Sequence, residues 1–199
     1  IIFYIYSWVR VLEIFSVVDE FIKRRDEFFK NLAEEKNLEK YFVNSSLTIL
    51  VFSAIYGATM GIYSGGLQIV YSAIKIPILL LISLYITVPS YHVIYSLLGG
   101  RRTLGQTVIL LLFSFTIMST FLIAMVPVNF FFIITTAKSF TTYAFTVLMN
   151  ITIFTLGGFF ALTYFIKGAK TLYHEPSENW KPAFLIGSTI LMFVGTQFA

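Results

Sequence analysis

Between Lys40 and His174 the chain contains no aspartate or glutamate. Long apolar runs follow one another through that stretch, of the length that crosses a bilayer, about 17–25 residues each. A water-soluble fold of this size needs charge spread over its whole surface. Here only 12% of residues are charged, whereas 57% are apolar and 18% aromatic; ordinary globular domains carry roughly 25% charge. The chain therefore reads as an all-α, polytopic integral membrane protein.

Residues 10–43 differ from the rest. They hold seven Lys/Arg and eight Asp/Glu. Val18, Phe21, Ile22, Phe28, Phe29 and Leu32 recur there near helical spacing, which predicts an amphipathic helix with one apolar face. Its near-balanced charge points to packing against protein more than to attraction by anionic lipid. Residues 1–43 are thus expected as an N-terminal amphipathic, interfacial region, and residues 44–199 as a five-helix membrane domain.

Five spans are expected: about Leu47–Tyr63, Leu67–Leu98, Leu104–Val126, Phe140–Ile166 and Ala183–Phe198. Asn44, Ser45 or Ser46 is the expected N-cap of the first, and "YSGG" the turn after it. Pro77 and Pro89 interrupt the second, which either kinks or spans at a tilt. The third ends near Pro127.

Orientation follows from the basic residues. With the N-terminus inside, the inner loops (residues 10–43, 99–104 and 167–182) carry twelve Lys/Arg, and the outer ones only Lys75 and Lys138. Such asymmetry marks the cytoplasmic side. The basic residues are read as a topology signal, and no nucleic-acid partner is expected.

No catalytic pattern is present: the sequence lacks HExxH, CxxC, GxSxG and GxxxxGK[ST]. Zinc proteases, redox dithiols, serine hydrolases and P-loop enzymes need those spacings to place ligands, nucleophiles or phosphate-binding amides. With no cysteine, thiolate chemistry is excluded, and with no carboxylate at depth a proton- or sodium-coupled transporter is disfavoured. No enzyme activity, cofactor or metal is expected. His92 and His174 lie too far apart to read as a ligand pair, and His92 is expected to bond between helices. Lys75 is expected to snorkel to the interface. Gly57 and Gly61, and Gly157 and Gly158 near Ala161, are expected to let helices approach closely. Asn129 and Asn150 are expected to bond between helices.

"GGRRT" is expected as a cytoplasmic turn, with Gly99 and Gly100 making the reversal and Arg101 and Arg102 at headgroup level. The loop "KGAKTLYHEPSENWKP" mixes basic, acidic and aromatic residues. Arg24, Arg25, Arg101, Arg102, Lys170 and Trp180 are the candidate contacts for a protein partner or for lipid. The expected function is a scaffold or accessory subunit docking a partner on its cytoplasmic face. The alternative is a small channel or transporter subunit, with a pore built by an oligomer from Thr107, Ser114 and Ser119.

The "LLGGRRTLGQTVILLL" stretch, together with "FVNSSLTILVFSAIYGATMGIY", resembles the Yip (Ypt-interacting) family of five-span membrane proteins. In bacterial relatives a Leu-Gly-Gly turn joins the second and third spans, and a basic residue, a polar residue and a Gln follow. Eukaryotic members carry Asp-Leu-Tyr-Gly-Pro before the first span, where this chain has "AIYGA". The resemblance implies a bacterial-type member in the inner membrane, organising that membrane or a larger complex within it.

Overall fold

A computed structural model describes residues 18–97, 102–137 and 139–172. The described residues are helical apart from short turns. Helix α1 is described over residues 18–23; then come α2 (Arg25–Ala33), α3 (Leu38–Ile62), α4 (Gln68–Leu97), α5 (Leu104–Ala124), α6 (Val126–Thr135) and α7 (Phe140–Leu172). Four stretches are long and apolar enough to cross a membrane: Leu38–Ile62, Gln68–Leu97, Leu104–Thr135 and Phe140–Ala169. The expected fifth span lies outside the described residues.

Helix α5 is the centre of the bundle. Its span is 61% buried, against 28% for those of α4 and α7. It packs against α3, α4 and α7, while α3 and α4 form a tight antiparallel hairpin. Two glycines make that hairpin possible. A Cβ on Gly57 would sit 2.4 Å from the Ser72 carbonyl oxygen, and one on Gly61 would sit 2.5 Å from the Ile69 Cα. The GxxxG pair thus packs helices within one chain, as expected.

Several boundaries differ from the sequence reading. Helix α3 begins at Leu38, not Leu47, so it runs through the 43/44 division. Asn37, in the left-handed region at φ 60°, precedes it. Asn is tolerated there because its short polar side chain bonds locally. Asn44 and Ser45 are buried inside the helix rather than capping it. The Glu39 and Lys40 side chains point outward, so the helix extends one polar turn past its apolar zone.

Helix α4 runs unbroken through Pro77 and Pro89. Each proline removes one amide donor, which neighbouring helices and local adjustment tolerate in apolar spans. The third apolar run ends at Ala124 and resumes as α6 after Met125. Pro127 stands in the first turn of α6 and cannot donate to the Ile123 carbonyl, so the ladder breaks there. Helix α7 continues past Ile166 to Leu172.

Candidate functional site

The N-terminal helices form a wedge in one end of the bundle. Phe21, Phe28, Phe29 and Leu32 are each at most 1% exposed. Phe28 lies with its ring 4.6 Å from that of Phe21, 5.0 Å from that of Tyr41 on α3 and 5.2 Å from that of Phe113 on α5. Phe113 also meets Phe21 at 4.9 Å and Phe29 at 5.4 Å. Helix α7 contributes Gly168, where a Cβ would lie 2.6 Å from the Phe29 Cζ; only a residue without a side chain leaves room for that ring. Ile22 departs from the expected apolar face and is 49% exposed, because α1 and α2 are separate helices with a bend at Arg24 and do not share one continuous stripe.

Polar groups hold the wedge at its rim. The Tyr41 hydroxyl donates to the Glu20 carboxylate, and the Asn31 amide donates to the Tyr41 oxygen at 3.2 Å. The last turn of α2 leaves carbonyls without their usual helical donor. The Gln106 side-chain amide donates to those of Leu32 and Ala33, each at 3.3 Å, and the Leu32 carbonyl also accepts from the Glu35 amide at 3.2 Å. Gln106 also closes a capping box with Thr103 at the start of α5. The Thr103 hydroxyl lies 2.6 Å from the Glu35 carboxylate and donates to it. So Thr103 and Gln106 tie the start of α5 to the end of α2.

The Arg102 side chain turns into the bundle. It is 9% exposed, its guanidinium donates to the Ala169 carbonyl at 2.8 Å, and it stacks over the Tyr95 ring at 4.7 Å. Tyr91 packs beside it, stacked on Tyr95 and edge-on to Phe165. The sequence showed a basic pair in a turn but not that aromatic rings and a helix-end carbonyl wait for one of the two. A planar cation can stack and donate at once, which an ammonium cannot. Arg102→Lys is therefore expected to lower stability by about 1–3 kcal/mol, read as a lower melting temperature in detergent. An unchanged melt would leave this contact without energetic weight.

Outside the wedge the charges face solvent. Lys23 lies 2.7 Å from Asp19, and Arg24 lies 4.0 Å from it; the Lys23 and Arg24 side chains are 75% and 65% exposed. The hydrogen bond from Lys23 holds the Asp19 carboxyl below its usual range. Asp26, Glu27 and Lys30 are exposed on the same helix pair. Of the candidate contacts, Arg24 is on this surface and Arg102 is inside the bundle, so the two do not share one face. Arg25 begins α2 and Lys170 belongs to the last turn of α7, with their side chains outside the description. Arg101 and Trp180 lie outside the described residues.

At the other end of the bundle the Asn150 side-chain oxygen accepts from the Tyr56 hydroxyl at 2.6 Å and from the Asn129 amide at 3.3 Å, and Asn150 donates to the Thr146 carbonyl. The two asparagines bond between helices, as expected. Tyr56 was missed, although its place one residue before Gly57, on a face of small residues, was the available signal. His92 meets Thr107 across α4 and α5 at 3.1 Å. Thr107, Ser114 and Ser119 are buried, each hydroxyl donating to the carbonyl four residues earlier. Lys75 is exposed two turns into α4. Among the described residues no group of three His, Cys, Asp or Glu side chains is placed to hold a metal. No protein-family model, curated protein or solved structure matches the chain.

Proposed function

We propose that the chain is a non-enzymatic scaffold or accessory subunit of a membrane, with five spans and a cytoplasmic N-terminus, and that it docks a partner protein through the outer surface of α1 and α2. One observation carries this reading. The helix pair is fixed on one side by Phe21, Phe28, Phe29 and Leu32, while Asp19, Lys23, Arg24, Asp26, Glu27 and Lys30 remain on the other. A surface of mixed charge held on a rigid base steers an encounter and selects a partner more than it stabilises a fold. Support also comes from the twelve-to-two distribution of basic residues, which favours this end as cytoplasmic. The Leu-Gly-Gly turn and Gln106 support a bacterial-type, Yip-like chain in the inner membrane.

The alternative is a small channel or transporter subunit. The buried hydroxyls of Thr107, Ser114 and Ser119 do not favour it, since each already bonds within its helix.

The test is affinity purification in mild detergent across a salt series, comparing the native chain with Arg24→Glu plus Arg25→Glu. A protein should co-purify at low salt and fall away as salt rises. The reversed chain should insert normally yet lose at least most of that yield. No co-purifying protein at low salt, or an unchanged yield on reversal, moves the channel reading ahead.

A further inference from the structure

Helices α3 and α5 start at the same end of the bundle, where Gly105 lies against Leu38: a Cβ on Gly105 would stand 3.3 Å from the Leu38 Cδ1. Between the two helix starts runs an open groove of about 460 Å³, lined by Leu38, Phe42 and Val43 of α3 and by Gly105, Val108 and Ile109 of α5. Gly105 brings no side chain to fill it. Its neighbours Thr103 and Gln106 are engaged with Glu35 and with the end of α2. The volume is within the range of about 300–1,000 Å³ that small ligands occupy.

The groove changes polarity along its length. Glu39 is the one charged residue that lines it, and Lys40, next in the chain, is exposed. One turn further along α3 the exposed residues are Phe42 and Val43, and on α5 Leu104 is exposed as well. Charge thus gives way to hydrocarbon within a single helical turn, about 5.4 Å.

We propose that this groove binds a zwitterionic aminophospholipid. The headgroup amine meets the Glu39 carboxylate, the phosphate lies toward Lys40, and the upper part of one acyl chain follows Phe42, Val43, Gly105 and Val108. The inference uses the membrane-crossing reading of α3 and α5 and is independent of partner docking.

Three arguments choose this occupant. The first is the polarity change, which repeats that of an amphiphile from head to tail. A wholly apolar ligand would leave the Glu39 end unmatched, and a wholly polar one would leave Phe42 and Val43 uncovered. The second is length. Leu38 to Val43 rises only about 8 Å, too short a seat for a helix that crosses about 30 Å of hydrocarbon. A lipid needs a seat only where its headgroup meets its chains. The third is charge. Around the groove mouth Glu34, Glu35 and Glu39 are exposed against Lys36 and Lys40. Three carboxylates facing two ammonium groups attract an amine and oppose a headgroup of net negative charge.

The test is native mass spectrometry of the full chain, stripped of lipid in mild detergent and then given phosphatidylethanolamine or phosphatidylglycerol with the same acyl chains. The ethanolamine lipid should be retained over the glycerol lipid by roughly fivefold, the upper end for one exposed ion pair. Glu39→Lys should reverse that order. Gly105→Leu, which fills the groove against a side-chain end that can move aside, should remove most of the retained lipid with its helical signal intact. Should that variant lose its helical signal, Val108→Phe fills the same groove from one turn further along α5 and is read in the same way. Equal retention of the two lipids by the native chain, or retention unchanged by the filled groove, overturns the proposal in favour of lipid held without a site. A chain that inserts into liposomes yet retains neither lipid rejects the groove alone; one that also fails to insert rejects the membrane reading beneath it.

Discussion

Phe113→Ala is expected to lower stability by about 3–5 kcal/mol, the cost of emptying a large buried aromatic site. Phe113 is fully buried, and its ring touches those of Phe21, Phe28, Phe29 and Tyr164. Every wedge phenylalanine therefore loses a neighbour when this one side chain is cut. The neighbours cannot collapse into the space easily, because the Phe29 ring lies so close to the Gly168 backbone that an added Cβ would sit 2.6 Å from it. The effect has a local signature. Tryptic cleavage at Lys23 and Arg24 should accelerate before the helical signal of the bundle changes, since α1 and α2 lose their seat first. A melting temperature within a degree of the native value, with unchanged cleavage, would show that the wedge contributes little to the fold.

Gly61→Leu is the second large effect. A Cβ there meets only backbone: Ile69 Cα at 2.5 Å, the Gln68 carbonyl oxygen at 2.6 Å and Ile69 N at 2.8 Å. Backbone does not swing aside as a side-chain end does, so α3 and α4 must separate near their turn. Overpacking typically costs about 1–3 kcal/mol and occasionally more. This site belongs at the upper end, because α3 and α4 make the most extensive helix–helix contact among the described residues. Gly158→Leu is the control, where a Cβ meets no described residue within 4 Å, and should cost far less. Equal destabilisation by the two changes would contradict the close-approach account.

What the sequence revealed, and what it did not, follows from range. The GxxxG pair was legible because small residues four apart have one structural use in an apolar helix. Asn129, Asn150 and His92 were legible because an uncharged polar group in an apolar span needs a partner on another helix. The start of α3 was not, since Glu39 and Lys40 look like loop residues to a count of charge, whereas a helix extends into the polar zone with charges turned outward. The inward turn of Arg102 was also hidden. Nothing in the basic pair itself says that Arg102 meets the Tyr95 ring and the Ala169 carbonyl. The wedge was half legible: its apolar residues stood out, but the Arg24 bend that exposes Ile22 leaves no mark in periodicity.

The central claim is that the apolar helices cross a membrane with the α1–α2 face on the cytoplasmic side. Single cysteines at Lys36, exposed in the α2–α3 turn, and at Ser64, exposed in the α3–α4 turn, test it directly in intact cells. Thr103 is avoided because it caps α5. An impermeant thiol reagent added outside should label Ser64→Cys and leave Lys36→Cys untouched until the membrane is opened. Labelling of Lys36→Cys but not Ser64→Cys from outside would contradict the orientation, and labelling of both from one side would contradict a crossing by α3.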